Sequence, residues 1–242
     1  MPGRQLEILK AIVDEYVATE EPVGSKTLAA RSGLGVSPAT IRNEMAVLED
    51  EGLITQPHTS AGRIPTDLGY RVFVDKLATV KQLSTAERRA IETFLQGSND
   101  LEELLKRSAK LLADITKQVA VVTYPIIGEG REKMAISGTA NLARSGEDLG
   151  LTLSPILEAL EEQVILLRLL DEVHSTVHVR IGSEQTEANL QSTSLVTVGY
   201  GGESSQLGAV GVLGPTRMDY AASIAAVDAV ARYVGRFINE GQ

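Results

Sequence analysis

Residues 21–63 decide the fold, and their sequence is EPVGSKTLAARSGLGVSPATIRNEMAVLEDEGLITQPHTSAGR. Before this stretch, apolar residues recur at three- and four-residue intervals, which predicts a first helix with one apolar face. The residues of that face are Leu6, Leu9, Ile12, Val13, Tyr16 and Val17. The following segment contains Glu20, Pro22 and Gly24, so we expect the helix to end there.

A short second helix is predicted directly after this break. Ser25 stands where an N-cap belongs, and residues 26–31 follow as helix with Leu28 directed inward. Gly33 and Gly35 are expected to stop it. The result is a tight turn between two helices.

The third helix has a well-marked start and a single apolar stripe. Ser37 is its expected N-cap, and Pro38 occupies the first turn, where a missing backbone N–H has no cost. Ile41, Met45 and Leu48 fall on one side at 100° per residue. The residues left on the opposite face and its edge are Ala39, Thr40, Arg42, Asn43 and Ala46.

This outward face has the chemistry of a DNA-reading surface. Small residues let a helix approach base edges, alanine methyls can meet thymine methyls, and arginine and asparagine can bind guanine and adenine through two hydrogen bonds. Taken alone, an arginine and an asparagine such as Arg42 and Asn43 on a helix face usually form a solvated surface. The ordered set of capped helices favours base contact, so we interpret residues 37–51 as a recognition helix.

Residues 53–65 are predicted to form a wing, in which two short strands flank a turn-rich loop. Polar residues of this loop can lie along a phosphate backbone or enter a minor groove. The expected contacts are His58, Thr59, Ser60 and Arg63. A fourth helix, capped by Thr66, follows.

The net charge argues against strong nonspecific DNA binding, because that affinity comes from lysine and arginine. The chain carries −9, and residues 1–80 hold eight basic against eleven acidic side chains. Any attraction to DNA must therefore come from the way the basic side chains are distributed over the surface. Lys26, Arg42 and Arg63 are expected near the contact surface, helped by helix N-termini at Ser25 and Ser37.

The remainder of the chain alternates candidate helices and strands. Ser84 and Glu87 form a predicted capping box after a polar joint at 78–83. Helices are predicted at 84–97, 100–117, 154–170 and 220–238, and strands at 118–124, 134–139, 177–181, 195–200 and 209–213. Strands covered by helices form an α+β domain.

Nothing in this second domain favours catalysis. Gly208, Gly211 and Gly214 have the wrong spacing for a dinucleotide-binding loop. His174 and His178 border a strand, although their spacing would suit a metal only on a helix. The chain has no cysteine and no convincing triad. We expect no enzyme activity, no cofactor and no metal site.

The chain contains no apolar run of membrane-spanning length and no export pattern at its start. The sequence therefore predicts a cytoplasmic protein that does not bind membranes. Three function classes remain open: a sequence-specific repressor, a regulator that senses a small molecule, and a winged-helix module for protein interaction.

Three separated blocks resemble the HrcA family of heat-inducible transcription repressors. They are GSKTLAARSGLGVSPATIRNEMAVLEDEGLITQPHTSAGRIPTDLGYRVFVD at 24–75, GTANLARS at 138–145 and GPTRMDY at 214–220. The resemblance implies a homodimer that binds the inverted repeat called CIRCE upstream of bacterial chaperone operons. It also implies a GAF-like second domain and modulation by the GroE chaperonin.

One departure from the family concerns the middle of the chain. In the family, a long stretch with an inserted dimerising domain separates the strand resembling QVAVVTYP (118–125) from the strand before GTANL, whereas here only 126–136 intervene. The expected organisation is α+β: a winged helix-turn-helix domain at 1–78, connecting helices at 79–117, and a GAF-like α/β domain at 118–242 that lacks the dimerising segment.

The missing segment leaves assembly to other surfaces. We expect mainly monomer, with dimers forming on the operator or through the helices at 84–117. The apolar residues of these helices exceed what one intramolecular face needs; they are Ile91, Leu95, Leu104, Leu105, Leu111 and Leu112.

Overall fold

The helical start of the chain and the mixed helices and strands after it form two units in the computed structural model, Met1–Thr79 and Val80–Gln242. The structure describes residues 3–59, 61–76, 83–98, 100–126, 131–144, 153–162, 170, 175–202 and 205–240. Each unit has its own buried apolar residues. The α+β fold class predicted from the sequence is confirmed.

The described part of the first unit consists of four helices and a two-stranded ribbon. Their bounds are α1 Gly3–Thr19, α2 Ser25–Arg31, α3 Pro38–Asp50, β1 Ile54–Thr55, β2 Ile64–Pro65 and α4 Asp67–Lys76. The core takes one apolar stripe from each long helix, as an amphipathic pattern requires. Its most deeply buried side chains are Ile8, Leu9, Ile12, Leu28, Ile41, Leu48 and Ile54.

Helix α1 differs in detail from the sequence prediction. Ile8 is fully buried although the predicted stripe omitted it, whereas Leu6, Tyr16 and Val17 are only half-buried. The helix ends at Thr19, and Glu20 after it has a positive φ of 64°. The predicted end of α1 is therefore confirmed.

The predicted N-cap of α2 is wrong. Gly24 is the cap: its backbone is extended, and its carbonyl accepts the first helical hydrogen bond from the Leu28 N–H at 3.1 Å. Ser25 is instead the first helical residue, and it is buried. The helix starts one residue earlier than expected because a glycine, which needs no side-chain cap to take this position, precedes the serine.

The wing is an antiparallel ribbon in which Ile54 pairs with Pro65 and Thr55 with Ile64. A third segment joins it, since Val23 forms an antiparallel bridge with Arg63. The loop before α2 is thus part of the base of the wing. Thr66 follows the ribbon and caps α4 as predicted, because its hydroxyl accepts from the Gly69 N–H at 3.1 Å.

The second unit is built around one antiparallel sheet. Its described helices and strands are α5 Thr85–Leu95, α6 Leu101–Thr116, β3 Val119–Ile126, β4 Arg131–Ser137, α7 Thr139–Arg144, α8 Leu153–Glu161, β5 His178–Ile181, β6 Thr193–Gly202, β7 Ser205–Pro215 and α9 Tyr220–Glu240. The strand order is β4-β3-β7-β6-β5. The register aligns Ala120 with Val212, and Val212 with Val196.

The two faces of this sheet carry different helices. One face bears Val119, Val121 and Leu213, which form a core with α7 and α8. Residues alternate along a strand, so Ala120 and Val122 face the other side, where α6 packs on β3 and β4 and α9 packs on β6 and β7.

The helices predicted as connectors belong to this second unit. Helix α6 packs on the sheet and on α9, and α5 packs on both helices. The prediction that their apolar residues exceed one intramolecular face is wrong, because Leu111 is half-buried and the other five are buried. Both helix starts are confirmed, by a capping box at Ser84 and a side-chain cap from Asp100.

Both bounds of the strand predicted at 134–139, next to the motif GTANLARS, change in the structure, where β4 runs Arg131–Ser137. Strand β4 ends at Ser137, and Thr139 begins α7 instead of closing the strand. The Asn141 side chain holds this helix by donating to the carbonyls of Ala113 at 3.3 Å and Gln118 at 3.0 Å. In the helix predicted at 154–170, residues 163–169 lie outside the described residues.

Gly69 provides a test of the packing between α4 and the wing. A Cβ at this position would lie 2.0 Å from the Leu53 carbonyl oxygen, a backbone atom that cannot move aside. We expect Gly69→Ala to destabilise the first unit by roughly 1–3 kcal/mol in thermal unfolding. The control is Gly235→Ala in α9, where the nearest atom is 3.4 Å away; it should be neutral or stabilising by up to about 1 kcal/mol. Equal effects would contradict this packing.

Candidate nucleic-acid interface

The start of α3 is fixed by its cap, as the sequence predicts. The Ser37 hydroxyl accepts from the Thr40 N–H at 3.2 Å and lies 3.0 Å from the Thr40 hydroxyl, and Pro38 occupies the first turn. Both hydroxyls are therefore engaged within the cap. They remain near the surface, since Ser37 is exposed and Thr40 is half-buried.

Burial of one stripe of α3 determines what its other side presents. Ile41, Met45 and Leu48 are buried in the first unit. The side chains exposed on the outward face are Ala39, Arg42, Asn43 and Ala46, as predicted. The side chains of Arg42 and Asn43 make no hydrogen bond or ion pair with any residue that the structure describes. Their donors and acceptors are thus available to a ligand.

Val47 belongs to the same outward face and was missed by the sequence analysis. It is 38% exposed and lies one helical turn after Asn43. Apolar residues are usually assigned inward, so only the position of Val47 relative to the buried stripe could have revealed it. An exposed apolar side chain there can meet a thymine methyl group.

The basic residues of the first unit differ in how far carboxylates neutralise them. Arg31 lies 2.6 Å from Glu15, and Arg71 lies 3.2 Å from Asp75. Lys26 at the start of α2 is exposed, and no carboxylate in the described residues pairs with it. Positive charge without an internal partner is therefore found on α2 and α3.

Arg63, which the sequence predicts as a DNA contact at the base of the wing, forms an ion pair within the first unit. Its Nε and Nη2 lie 2.9 Å and 2.8 Å from the same oxygen, Oε2 of Glu49. Its backbone exchanges two hydrogen bonds with Val23, at 2.8 Å and 2.9 Å. The side chain of Arg63 therefore joins the wing to the end of α3.

The loop of the wing is held from inside by Gln56. Its Nε2 donates to the carbonyls of Thr59 at 3.0 Å and Ala61 at 2.9 Å. His58 and Thr59 are exposed at the tip. Ser60, predicted as a contact, lies outside the described residues.

Ser25 is the predicted contact that the fold places least favourably. Its side chain is buried, with 9% of the residue exposed, so it presents little to a ligand. The exposed neighbour at the start of α2 is Lys26.

The described residues contain no group of three histidine, aspartate or glutamate side chains placed to hold a metal ion. Of the predicted histidine pair, His178 is exposed on β5, and His174 lies outside the described residues. Within the described ranges, no helix is both long and apolar enough to cross a membrane.

The first unit is a helix-turn-helix followed in sequence by a two-stranded ribbon, and the exposed face of its third helix carries polar side chains without internal partners among the described residues. This arrangement defines a winged-helix DNA-binding protein. Residues 2–78 match the family model for the winged helix-turn-helix transcription repressor, HrcA DNA-binding, and residues 127–224 match the model for the HrcA protein C terminal domain. The chain belongs to the HrcA family of heat-inducible transcription repressors.

Full-length relatives support this assignment. The heat-inducible transcription repressor HrcA of Nocardioides sp. is 43% identical over 333 positions, which cover 98% of this chain and 99% of the relative. The HrcA of Streptomyces avermitilis is 42% identical, with 98% of each chain covered. A solved structure described as a hypothetical protein at 2.2 Å resolution shares the fold, with a TM-score of 0.86, 24% identity and full coverage of both chains.

The resemblance and the repressor class predicted from the sequence are therefore confirmed. The chain is a transcription repressor with a winged-helix DNA-binding domain, which is a role outside catalysis. A protein-interaction module without DNA binding is not its class.

Substitutions on the outward face of α3 should separate base reading from general attraction. We expect Arg42→Ala and Asn43→Ala each to cost roughly 1–3 kcal/mol of binding to an operator duplex, and much less on random DNA, because base-edge contacts carry the specificity. The measurement is titration of both duplexes by fluorescence anisotropy.

The matched control is Arg31→Ala, since Arg31 is also exposed but is paired with Glu15. It should leave the ratio of the two affinities unchanged. Equal losses on both duplexes for the α3 variants would refute base reading by this face.

Proposed function

We propose that this chain represses chaperone operons by binding the CIRCE inverted repeat through the recognition helix, residues 37–51, and the wing, residues 53–65. The observation that carries the proposal is the pair Arg42 and Asn43, exposed and without internal partners on a helix whose opposite face is buried. Family membership supports heat-shock operons as the target, since the relatives are heat-inducible repressors.

In the proposed complex, the N-terminal half of α3 lies in a major groove. Arg42 and Asn43 then face base edges, where they bind guanine and adenine respectively. Ala39 and Ala46 provide close approach for the backbone and methyl contact with thymine. Ser37 and Thr40 stand beside the first backbone N–H groups of the helix, which attract a phosphate.

The flanking contacts in this proposal are to the sugar-phosphate backbone. Lys26 is exposed without a carboxylate partner and binds a phosphate beside the groove. His58 and Thr59 at the wing tip, together with Ser60, which follows them in the sequence, contact the adjacent backbone or minor groove. Ser25 contributes through its backbone position, because its side chain is buried.

The length of the family alignments supports the proposal that this chain lacks the inserted dimerising segment between β3 and β4. The alignment with the Nocardioides relative extends over 333 positions, which exceeds the 242 residues of this chain by 91. A segment that is present in the relative and missing here would account for this excess. The remaining family expectations, a cytoplasmic location and modulation by the GroE chaperonin, are part of the same proposal.

The operator assignment is tested by a gel shift of the full chain against the CIRCE duplex and a scrambled duplex of equal composition. We expect a discrete complex on the operator only, and a steep loss of affinity as salt rises, because phosphate neutralisation releases counterions. A complex of equal strength on both duplexes would contradict sequence-specific repression of these operons.

The assembly of the chain is a separate prediction. A palindromic site requires two protein copies related by a two-fold axis, with recognition helices about one DNA turn apart or a multiple of it. In this proposal the chain lacks the dimerising segment, and five of the six apolar residues predicted to form a dimer surface on α5 and α6 are buried. We therefore expect monomers in solution at micromolar concentration and two copies of the chain on each operator.

Light scattering of the full chain with and without one equivalent of operator measures this directly. A dimer that persists on dilution without DNA would overturn the monomer expectation. A half-site duplex is the control, and it should retain one copy of the chain.

A further inference from the structure

Arg63 directly precedes strand β2 of the wing and contacts two other segments of the first unit. Its backbone N–H donates to the Val23 carbonyl at 2.9 Å, and its carbonyl accepts from the Val23 N–H at 2.8 Å. Its guanidinium reaches Glu49 in the last turn of α3. Three segments, the loop before α2, the end of α3 and the wing, therefore meet here.

The side-chain contact is a well-formed ion pair. Two guanidinium nitrogens approach Oε2 of Glu49 at 2.9 Å and 2.8 Å, and the side chains are 25% and 34% exposed. Planar guanidinium groups in such contacts fix direction as well as distance. A partly exposed pair contributes modestly to stability, so its main effect is geometric.

The backbone beside Arg63 is packed so closely that the wing has little freedom at its base. Gly62 faces the backbone of Pro22 and Val23, and a Cβ on it would lie 2.6 Å from their atoms. The residue after Arg63, Ile64, already belongs to β2. Strand β2 also pairs with β1 and packs against α1 and α4, and the ion pair adds a side-chain link from this strand to the end of α3.

The charge of this pair also matters for DNA. Glu49 neutralises the guanidinium of Arg63, so Arg63 attracts a DNA phosphate much more weakly than an unpaired arginine does. Removing Arg63 would leave the Glu49 carboxylate without its partner beside an anionic ligand. Removing the charge of Glu49 would reduce repulsion, which in a simple electrostatic view strengthens binding.

We propose that Glu49 and Arg63 are positioning residues: their ion pair holds the wing at a fixed angle to the recognition helix, so that both engage the same half-site. The inference rests on the proposed placement of α3 and the wing on DNA. It assigns Arg63 a role other than the phosphate contact suggested by the sequence, and it gives an acidic residue a favourable role in DNA binding.

The first test measures operator affinity and its salt dependence for full-chain variants. We expect Glu49→Gln and Arg63→Gln each to weaken operator binding about three- to tenfold, which corresponds to roughly 0.7–1.4 kcal/mol. The salt slope should stay unchanged in both, whereas loss of a phosphate contact lowers it by about one unit. The reversed pair, Glu49→Arg with Arg63→Glu, should restore affinity to within about twofold.

Two control variants separate positioning from charge. Glu51→Gln removes one negative charge from the same end of α3, where Glu51 is exposed and its carboxylate has no partner among the described residues, and it should not weaken binding. Lys26→Ala should lower the salt slope by about one unit, as a phosphate contact does. Binding by Glu49→Gln as tight as the wild type, or a lower slope in Arg63→Gln, would overturn the proposal.

A second readout does not depend on DNA. Hydrogen exchange of the Val23 and Arg63 amides in the free chain should be faster in Glu49→Gln than in the wild type, and unchanged in Glu51→Gln. Unchanged exchange in Glu49→Gln would overturn the claim that the ion pair between Glu49 and Arg63 holds the wing in position. If the wild type does not distinguish the inverted repeat from scrambled DNA, the operator assignment is wrong. The positioning role is then tested by measuring the affinities of the variants on a duplex that the wild type binds.

Discussion

The first unit depends on one constraint: α3 has a single apolar stripe and must bury it. With Ile41, Met45 and Leu48 against the core, the opposite side has to face solvent. The cap at Ser37 fixes where the helix begins, and hence which residues occupy its first turns. Arg42 and Asn43 are presented outward by the same packing that stabilises the fold, so the proposed recognition surface depends on the stability of this unit.

The negative net charge of the chain does not exclude DNA binding, because exposed basic side chains on α2 and α3 have no carboxylate partner among the described residues. The net charge is −9, yet Lys26 and Arg42 remain without carboxylate partners in the described part of the chain. Arg31 and Arg63 are instead tied to Glu15 and Glu49. We expect a repressor with this charge to bind nonspecific DNA weakly, which favours selection of its operator by base contacts.

The sequence predicted what depends on local patterns and missed what depends on distant partners. The Ser37 cap, the stripe of α3 and the capping box at Ser84 follow from neighbours in the chain, and the structure confirms them. The pairing of Arg63 with Glu49 joins residues fourteen apart, which no periodicity reveals. Burial of the apolar residues of α6 depends on a sheet and a helix far along the chain, so their number alone misled the prediction of a dimer surface.

The most direct measurement places the outward face of α3 on the operator. The chain has no cysteine, so Asp50→Cys, at an exposed position of α3 that makes none of the proposed base contacts, introduces one thiol that can carry a DNA-cleaving iron chelate. Cleavage centred in the major groove of each half-site is expected, while the same reagent on Glu7→Cys, an exposed position of α1, should cleave elsewhere or weakly. Identical cleavage from both positions, or uniform cleavage along the duplex, would contradict recognition by α3.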